Sequence, residues 1–479
     1  MKYKPVIGLE VHLQTKTKSK MFCDCSADYF GTEPNTKTCP VCLGLPGALP
    51  TTNEKALEHC MSLALALNCK INKKSKFDRK NYFFPDLPKG YQISQYDMPI
   101  GYKGWAEVDI EGDSRRIRIT RVHQEEDTGK TITEGDELKL DFNKSGVPLV
   151  EIVTEPDFDS TEEVTKFAKE IRKIVRYLNI SDADMEKGQM RFELNMSLKK
   201  DGSKGLPDYK VEIKNIGSIS VLEKVINFEV KRQSKILDSG ENPKQETRGL
   251  VDMSGKTEEQ RLKEDSDDYR YFPEPDIPPL EFTDVYIKKL EKSLPELPME
   301  KKKRFETEYG LEREVIEVLT LTQELSDFFE KASSKKSKKH VKNIGMWIIG
   351  DLKSILNSTD RVISDPLVKI KPEHIASISE MVMSGKISGK VGKMLLNTSV
   401  VSGESPEEVV KRDRLEQTSS KDELGKVAKT IIKNNPKVAT DYKNKNENAL
   451  QYLVGQVMKE TKGRANPKVA EKILKELLK

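Results

Sequence analysis

Aromatic residues make up only 6% of the 479 positions, and just two are tryptophan. No run approaches the ~20 consecutive apolar residues that a membrane-spanning helix needs. The apolar stretch Met61–Leu67 is far shorter. No basic segment leading into an apolar one follows Met1, so the expectation is a protein that is not secreted. Six cysteines are too few for a disulfide scaffold, and four of them cluster, which points to metal binding in a reducing compartment. No G-x-x-x-x-G-K-[ST] phosphate loop occurs; GKISGK (385–390) has the letters without the spacing, so any ATP must be held in another way. Ser333-Ser334-Lys335 sits in a lysine run without surrounding glycines and is not an amidase-type nucleophile. Membrane, collagen-like and wholly disordered chains are excluded together.

What is present is length and charge. At ~150 residues per domain, the chain corresponds to about three domains. Charged residues make up 33% and the net charge is +4, unevenly spread. Residues 421–479 hold 14 Lys/Arg against 7 Asp/Glu, a net of +7, which leaves −3 on the preceding 420. A basic tail on a near-neutral body fits an anionic partner, nucleic acid first, or a solvated basic surface.

Hydrophobic periodicity divides the chain. The first ~290 residues read as β-rich. Val6–Thr15 alternates, with Ile7, Leu9, Val11 and Leu13 on one face and Gly8, Glu10, His12 and Gln14 on the other. Similar alternation marks 116–122, 138–142, 191–198 and 210–213. Thr161–Leu178 reads as a helix opened by a Ser160/Glu163 capping box, with Val164, Phe167, Ile171 and Val175 as its stripe. YFPEPDIPP (271–279) cannot be helical and predicts an extended strap. From Ser293 to Val410 the pattern is helical, including six lysines between Lys331 and Lys342. Thr418–Ser420 reads as a hinge, followed by three amphipathic helices lined by Leu424–Ile432, Leu450–Met458 and Ala470–Leu478. Gly463 is expected to stop the second, while Asn466 caps and Pro467 opens the third.

Two constellations carry chemistry. Cys23, Cys25, Cys39 and Cys42 form two close thiol pairs across a short loop, as a closed structural zinc site requires; the alternative is four buried thiols without metal. Cys60 and Cys69 lie on an apolar stretch and read as core. The other constellation is a carboxylate face: Glu10 beside His12, Glu125 after His123, Glu151, and Arg191, Glu193 and Asn195 on a later strand. Gathered carboxylates repel unless cations hold them, and an imidazole with several oxygens suits Mg2+ or Mn2+. The same alternation also fits a solvated face.

Longer strings go further. IGLEVHLQ (7–14), NYFFPDLPKGYQISQYD (81–97), SGVPLVEIVTEPD (145–157), VEIKNIGS (211–218), QETRGLVD (245–252), DYRYFPEPDIPPL (268–280) and YLVGQVMKETKGRANPKV (452–469) resemble, in order along essentially the whole chain, the B-subunit (GatB) family of aspartyl/glutamyl-tRNA(Asn/Gln) amidotransferases. The resemblance implies a multidomain α+β fold: a β-rich cradle domain over 1–292 carrying kinase and transamidase chemistry, a helical domain over 293–410, and a small all-α tail domain over 411–479 that binds tRNA. It implies ATP-dependent conversion of misacylated Glu-tRNA(Gln) and/or Asp-tRNA(Asn) to Gln-tRNA(Gln) and Asn-tRNA(Asn). Ammonia would come from an amidase-type glutaminase partner, with a small third protein completing a cytoplasmic heterotrimer.

By the same resemblance His12, Glu125 and Glu151 are expected to hold Mg2+, with Glu10 joining them as catalytic residues. Arg79, Lys80, Lys89 and Arg191 are expected at phosphate or carboxylate groups of the substrates. Glu193, another expected ligand contact, stands where the family often shows aspartate, keeping the charge on a longer arm. The four thiols match a zinc pattern that some members carry. Two other readings are a non-catalytic, zinc-containing tRNA-binding protein, which leaves the carboxylate face unexplained, and the archaeal tRNA(Gln)-specific paralogue (GatE), which has an inserted domain that this chain lacks.

Overall fold

The computed structural model describes residues 2–110, 112–262, 269–417, 421–443, 447–461 and 463–478. Two compact units divide the chain, Met1–Met299 and Glu300–Lys479.

The first unit is built on a nine-stranded sheet. Its order is Thr257–Leu262, Glu246–Leu250, Val211–Ile216, Met190–Lys200, Tyr3–Gln14, Pro148–Thr154, Asp113–Glu126, Gly101–Ile110 and Lys70–Ile71. All neighbours are antiparallel except 211–216 with 246–250, a parallel pair joined through the helix Ile219–Asp238. The alternation of the first strand sets the layers: Ile7, Leu9, Val11 and Leu13 are fully buried in the core of this unit. Helices Glu54–Ala66, Thr161–Tyr177 and Ile219–Asp238 contribute the facing residues of that core. The 161–177 helix starts as expected, with the Ser160 hydroxyl accepting from the Glu163 N–H at 3.2 Å. The Glu163 carboxylate reaches one residue beyond the expected box, accepting from the Asp159 N–H at 2.9 Å. Cys60 and Cys69 belong to the same core.

The proline-rich strap is extended, as fixed φ angles and missing donors require. Phe272–Pro273 pairs as an edge strand with Asp78–Asn81, and Leu280–Glu281 pairs with Lys74–Ser75. Asp268, at the head of that run, lies outside the described residues.

The second unit is helical among its described residues, with one apolar cluster spanning Phe305–Val410 and another spanning Leu424–Leu478. Four helices, rather than the expected three, build the latter: Lys421–Asn434, Pro436–Lys443, Glu447–Glu460 and Pro467–Leu478. The additional one contributes only Val438, Ala439 and Tyr442 to the core, too few to show as a stripe. Gly463 adopts φ +79° and its N–H returns to Met458 O at 2.7 Å, while Asn466 Oδ1 accepts from the Lys468 N–H at 3.0 Å. The expected hinge at 418–420 and Lys462 lie outside the described residues. No described helix is long and apolar enough to cross a membrane.

Candidate active site

Register assembles the site. Across the sheet, His12 pairs with Glu151 on one side and Arg191 on the other, Glu151 pairs with His123, and Glu10 pairs with Glu193. Residues paired in this way share a face. Side chains from three strands converge there: one atom each from His12, Glu125 and Glu151 lie within 4.8 Å of one another, and all three residues are buried. Glu151 Oε2 is 3.5 Å from His12 Nε2 and 3.4 Å from His123 Nε2. Glu125 accepts from Ser94 Oγ at 2.5 Å and Gln92 Nε2 at 3.2 Å, and faces His123 Nε2 at 3.2 Å. Lys80 Nζ stands 4.0 Å from Glu125, and an Arg121 Nη lies 3.9 Å from Glu151.

Burial alone would push these carboxyls up, but their neighbours reverse it. Lys80 and the His123 ring hold Glu125 at about 2, and the His123 and His12 rings hold Glu151 well below the usual carboxylate range. Burial would likewise lower the basicity of Lys80, yet Glu125 and its neighbours raise it well above the ordinary value. Two ionised carboxylates beside imidazoles make a pocket of the polarity a divalent cation needs. The Nδ1 atoms of His12 and His123 are buried without a hydrogen-bond partner. The donor set, two carboxylates and an imidazole, fits Mg2+ or Mn2+.

Glu10, Glu193 and Glu212 gather beside this cluster. Lys214 bridges Glu193 and Glu212 at 3.1 Å each, and Asn195 Nδ2 donates to Glu10 at 2.8 Å. Burial, then the Glu151 and Glu193 charges, raise the Glu10 carboxyl. Arg191 turns to Asp127 at 3.3 Å, where Lys144 at 3.0 Å and Gln14 Nε2 at 2.7 Å also converge.

Arg79 and Lys89 point elsewhere. Arg79 forms a fork onto the buried Glu274 at 2.7 and 2.8 Å and reaches Asp276 at 3.3 Å, which fastens the strap. Lys89 ion-pairs with Glu126 beside the cysteine loop. Several site residues lay outside the sequence expectation: Arg121, Asp127, Gln92, Ser94, Lys144 and Lys214. Arg121 is legible as the residue two before His123 on an alternating strand, whereas Gln92, Ser94 and Lys144 arrive from elements whose pairing no local pattern encodes.

The four thiols do converge. Their Sγ atoms lie within 4.8 Å of one another, and Cys39 Sγ to Cys42 Sγ is 3.9 Å. A tetrahedron with Zn–S of ~2.3 Å has S–S edges of about 3.8 Å, so the donor set fits zinc. The Cys42 thiol is held down to about 4 by hydrogen bonds from the Cys23 thiol and the Cys39 N–H, against its burial, with help from the Lys20 ammonium. Lys20, wholly buried, places its Nζ 3.6 Å from Cys42 Sγ and 3.3 Å from Phe142 O. Four thiolates around Zn2+ would leave a net charge of −2, half of which Lys20 would offset. Gly44 closes the loop at φ +67°, where a Cβ would sit 2.4 Å from Lys89 Cγ.

A family model described as the GatB/GatE catalytic domain matches residues 5–288, and a GatB domain model matches residues 327–478. The B subunit of the aspartyl/glutamyl-tRNA(Asn/Gln) amidotransferase of Persephonella marina is 46% identical over 479 residues, covering all of both chains. The corresponding proteins of Thermoanaerobacter pseudethanolicus and Thermotoga maritima are each 44% identical, with 99% or more of each chain covered. With both halves matched by family models and relatives aligned from end to end, the chain belongs to the B-subunit (GatB) family of aspartyl/glutamyl-tRNA amidotransferases.

Proposed function

We propose that this chain is the kinase and transamidase part of a cytoplasmic amidotransferase that uses ATP to convert misacylated Glu-tRNA(Gln), Asp-tRNA(Asn) or both into the correctly amidated forms. The observation that carries this reading is the buried convergence of His12, Glu125 and Glu151 with Lys80 at its edge. A carboxylate is a poor acylating agent until its oxygen becomes part of a leaving group. A side-chain oxygen of the esterified amino acid attacks the γ-phosphorus of ATP, the bond to the bridging oxygen breaks, and ADP departs. Such transfers need positioning and charge neutralisation more than covalent help from protein. Lys80 draws the anionic groups in, and Arg121 holds the Glu151 carboxylate from outside. His12, Glu125 and Glu151 would hold Mg2+ or Mn2+, which supplies charge neutralisation at the phosphoryl oxygens.

Ammonia then attacks the acyl carbon, the carbon–oxygen bond to phosphate breaks, and inorganic phosphate leaves. Glu10, oriented by Asn195, accepts the proton that the nitrogen sheds. Ammonia comes from an amidase-type glutaminase partner clasped to this chain by a small third protein of the heterotrimer, in keeping with a chain that shows no amidase nucleophile motif. The cysteine cluster takes a structural zinc that fixes the 16–50 loop, and the basic tail binds the tRNA body. The test is aminoacyl-tRNA-dependent ATP turnover by the reconstituted complex: Glu125→Gln and Glu151→Gln should abolish it while tRNA binding persists. A non-catalytic tRNA-binding protein would show no such turnover in the wild type.

A further inference from the structure

Among the described residues, Arg121 makes no hydrogen bond. Its side chain is 34% exposed, its Nε is buried without a partner, and its one ion pair is the loose approach to Glu151 at 3.9 Å. Other buried arginines of this unit are satisfied within the chain. Arg79 forks onto Glu274, Arg191 bonds Asp127 at 3.3 Å, Arg232 bonds Glu229 at 2.9 Å, and Arg248 bonds Thr257 Oγ1 at 2.8 Å. A guanidinium donor held out of water and left unpaired is unfavourable unless a ligand completes it.

The backbone is bent to place that side chain. Ile117 and Ile119 enter the core, and unbroken alternation would send Arg121 after them. The register against 148–154 instead shifts between Val153, opposite Arg121, and Thr154, opposite Ile119. Val122 takes the next core position, and Arg121 joins His123 and Glu125 on the face of the cluster. Irregularities of this kind re-aim side chains beside active sites.

Two anions meet here in the kinase reading above, on which the inference rests: the γ-phosphoryl group of ATP and the side-chain carboxylate of the esterified amino acid. A guanidinium fastened to the carboxylate would tie up the oxygen that has to attack. On the phosphoryl group its planar fork matches two oxygens and leaves the nucleophile free. Lys80, a point charge 4.0 Å from Glu125, offers no such fork. We propose that Arg121 is a catalytic residue of the transfer, bonding the non-bridging oxygens of the γ-phosphoryl group. The phosphorus–oxygen bond to ADP breaks with its electron pair leaving on ADP, and the bond to the carboxylate oxygen forms. The guanidinium stays protonated throughout and moves no proton.

The test uses the full-length chain in its reconstituted complex, with Arg121→Ala and Arg121→Lys. Transfer of labelled phosphate from ATP to Glu-tRNA(Gln) is followed in a single turnover. Binding of ADP is measured with and without aluminium fluoride, a mimic of the phosphoryl group in transit. Arg121→Ala should slow transfer about 10³-fold or more, while the ATP concentration for half-maximal rate moves far less. Guanidinium ion should restore part of that rate, because the vacated place opens to solvent, and sodium at the same concentration should not. The wild type should bind ADP more tightly with aluminium fluoride, and both variants should lose that preference. With no hydrogen bond to lose, neither variant should melt earlier than the wild type. A variant that keeps the preference for aluminium fluoride, or transfers at the wild-type rate, overturns the inference. Earlier melting without rescue by guanidinium also overturns it and makes Arg121 a brace for Glu151. A wild-type complex that transfers no phosphoryl group sinks the kinase reading, whereas a wild type that transfers beside variants that keep pace sinks only the role of Arg121.

Discussion

Replacing Arg79 by methionine separates two roles that a basic residue beside Lys80 can play. The guanidinium forks onto Glu274, whose side chain is 1% exposed, and lies 4.3 Å from the centre of the Tyr91 ring. Its removal leaves Glu274 buried with the Asp276 N–H, at 3.1 Å, as its remaining described donor. Breaking a buried pair costs about 3–5 kcal/mol. Arg79 itself is 20% exposed, which favours the lower end, about 3 kcal/mol. The loss falls on the strap rather than on the sheet. Backbone bonds from Glu274 N to Phe77 O and from Phe282 N to Lys73 O, at 2.9 and 2.8 Å, should therefore exchange their protons about 100-fold faster. Hydrogen exchange resolved by mass spectrometry reads those segments directly. Adding Glu274→Gln removes the orphaned charge and should recover most of the protection. Unchanged exchange together with a raised KM for ATP would refute this reasoning and return Arg79 to the phosphates.

Three further outcomes are expected. Lys20→Met removes the cation beside the thiolates and should weaken zinc binding about 10- to 100-fold, the usual effect of losing an outer partner, as measured by chelator competition; equal affinity, or no zinc in the wild-type protein, counts against the site. Truncation after Gln417 should raise the KM for charged tRNA and flatten its salt dependence by a log–log slope of about 0.7–0.9 per lost phosphate contact, leaving turnover at saturation nearly unchanged; identical salt slopes would end that assignment. His59 is buried in the 54–66 helix and burial lowers it to about 4, so its neutral form stabilises the fold above its ordinary value of 6.5 and that contribution is lost as pH falls from there toward 4. The loss is up to about 3 kcal/mol. His59→Leu should melt with a shallower pH dependence over that window, and parallel curves would show that other groups carry it.

The first strand was legible because its two faces differ in chemistry, so its period announced both the core and the site. Of its two partners, 190–200 was legible as a strand and 148–154 was not, and neither was legible as a neighbour: that His12 faces both Glu151 and Arg191 is a matter of register between segments far apart in sequence. Adjacent pairs show where pattern stops. Arg79 and Lys80 both looked like phosphate contacts, yet the pleat sends one to the strap and the other to Glu125. Glu125 and Glu126 divide in the same way, one into the cluster and one onto Lys89. Paired cysteines announce themselves by spacing, while Lys20, which stands beside them, is one lysine among many in the sequence.

The central claim is that the His12, Glu125 and Glu151 cluster transfers a phosphoryl group to the amino acid carried by tRNA. The direct measurement supplies the reconstituted complex with γ-labelled ATP and Glu-tRNA(Gln) while withholding glutamine and ammonia, then locates the label. The account predicts label on the side-chain carboxylate of the esterified glutamate with the wild-type chain and none with Glu151→Gln. Label that never reaches the amino acid, or that reaches it equally well with Glu151→Gln, would contradict it.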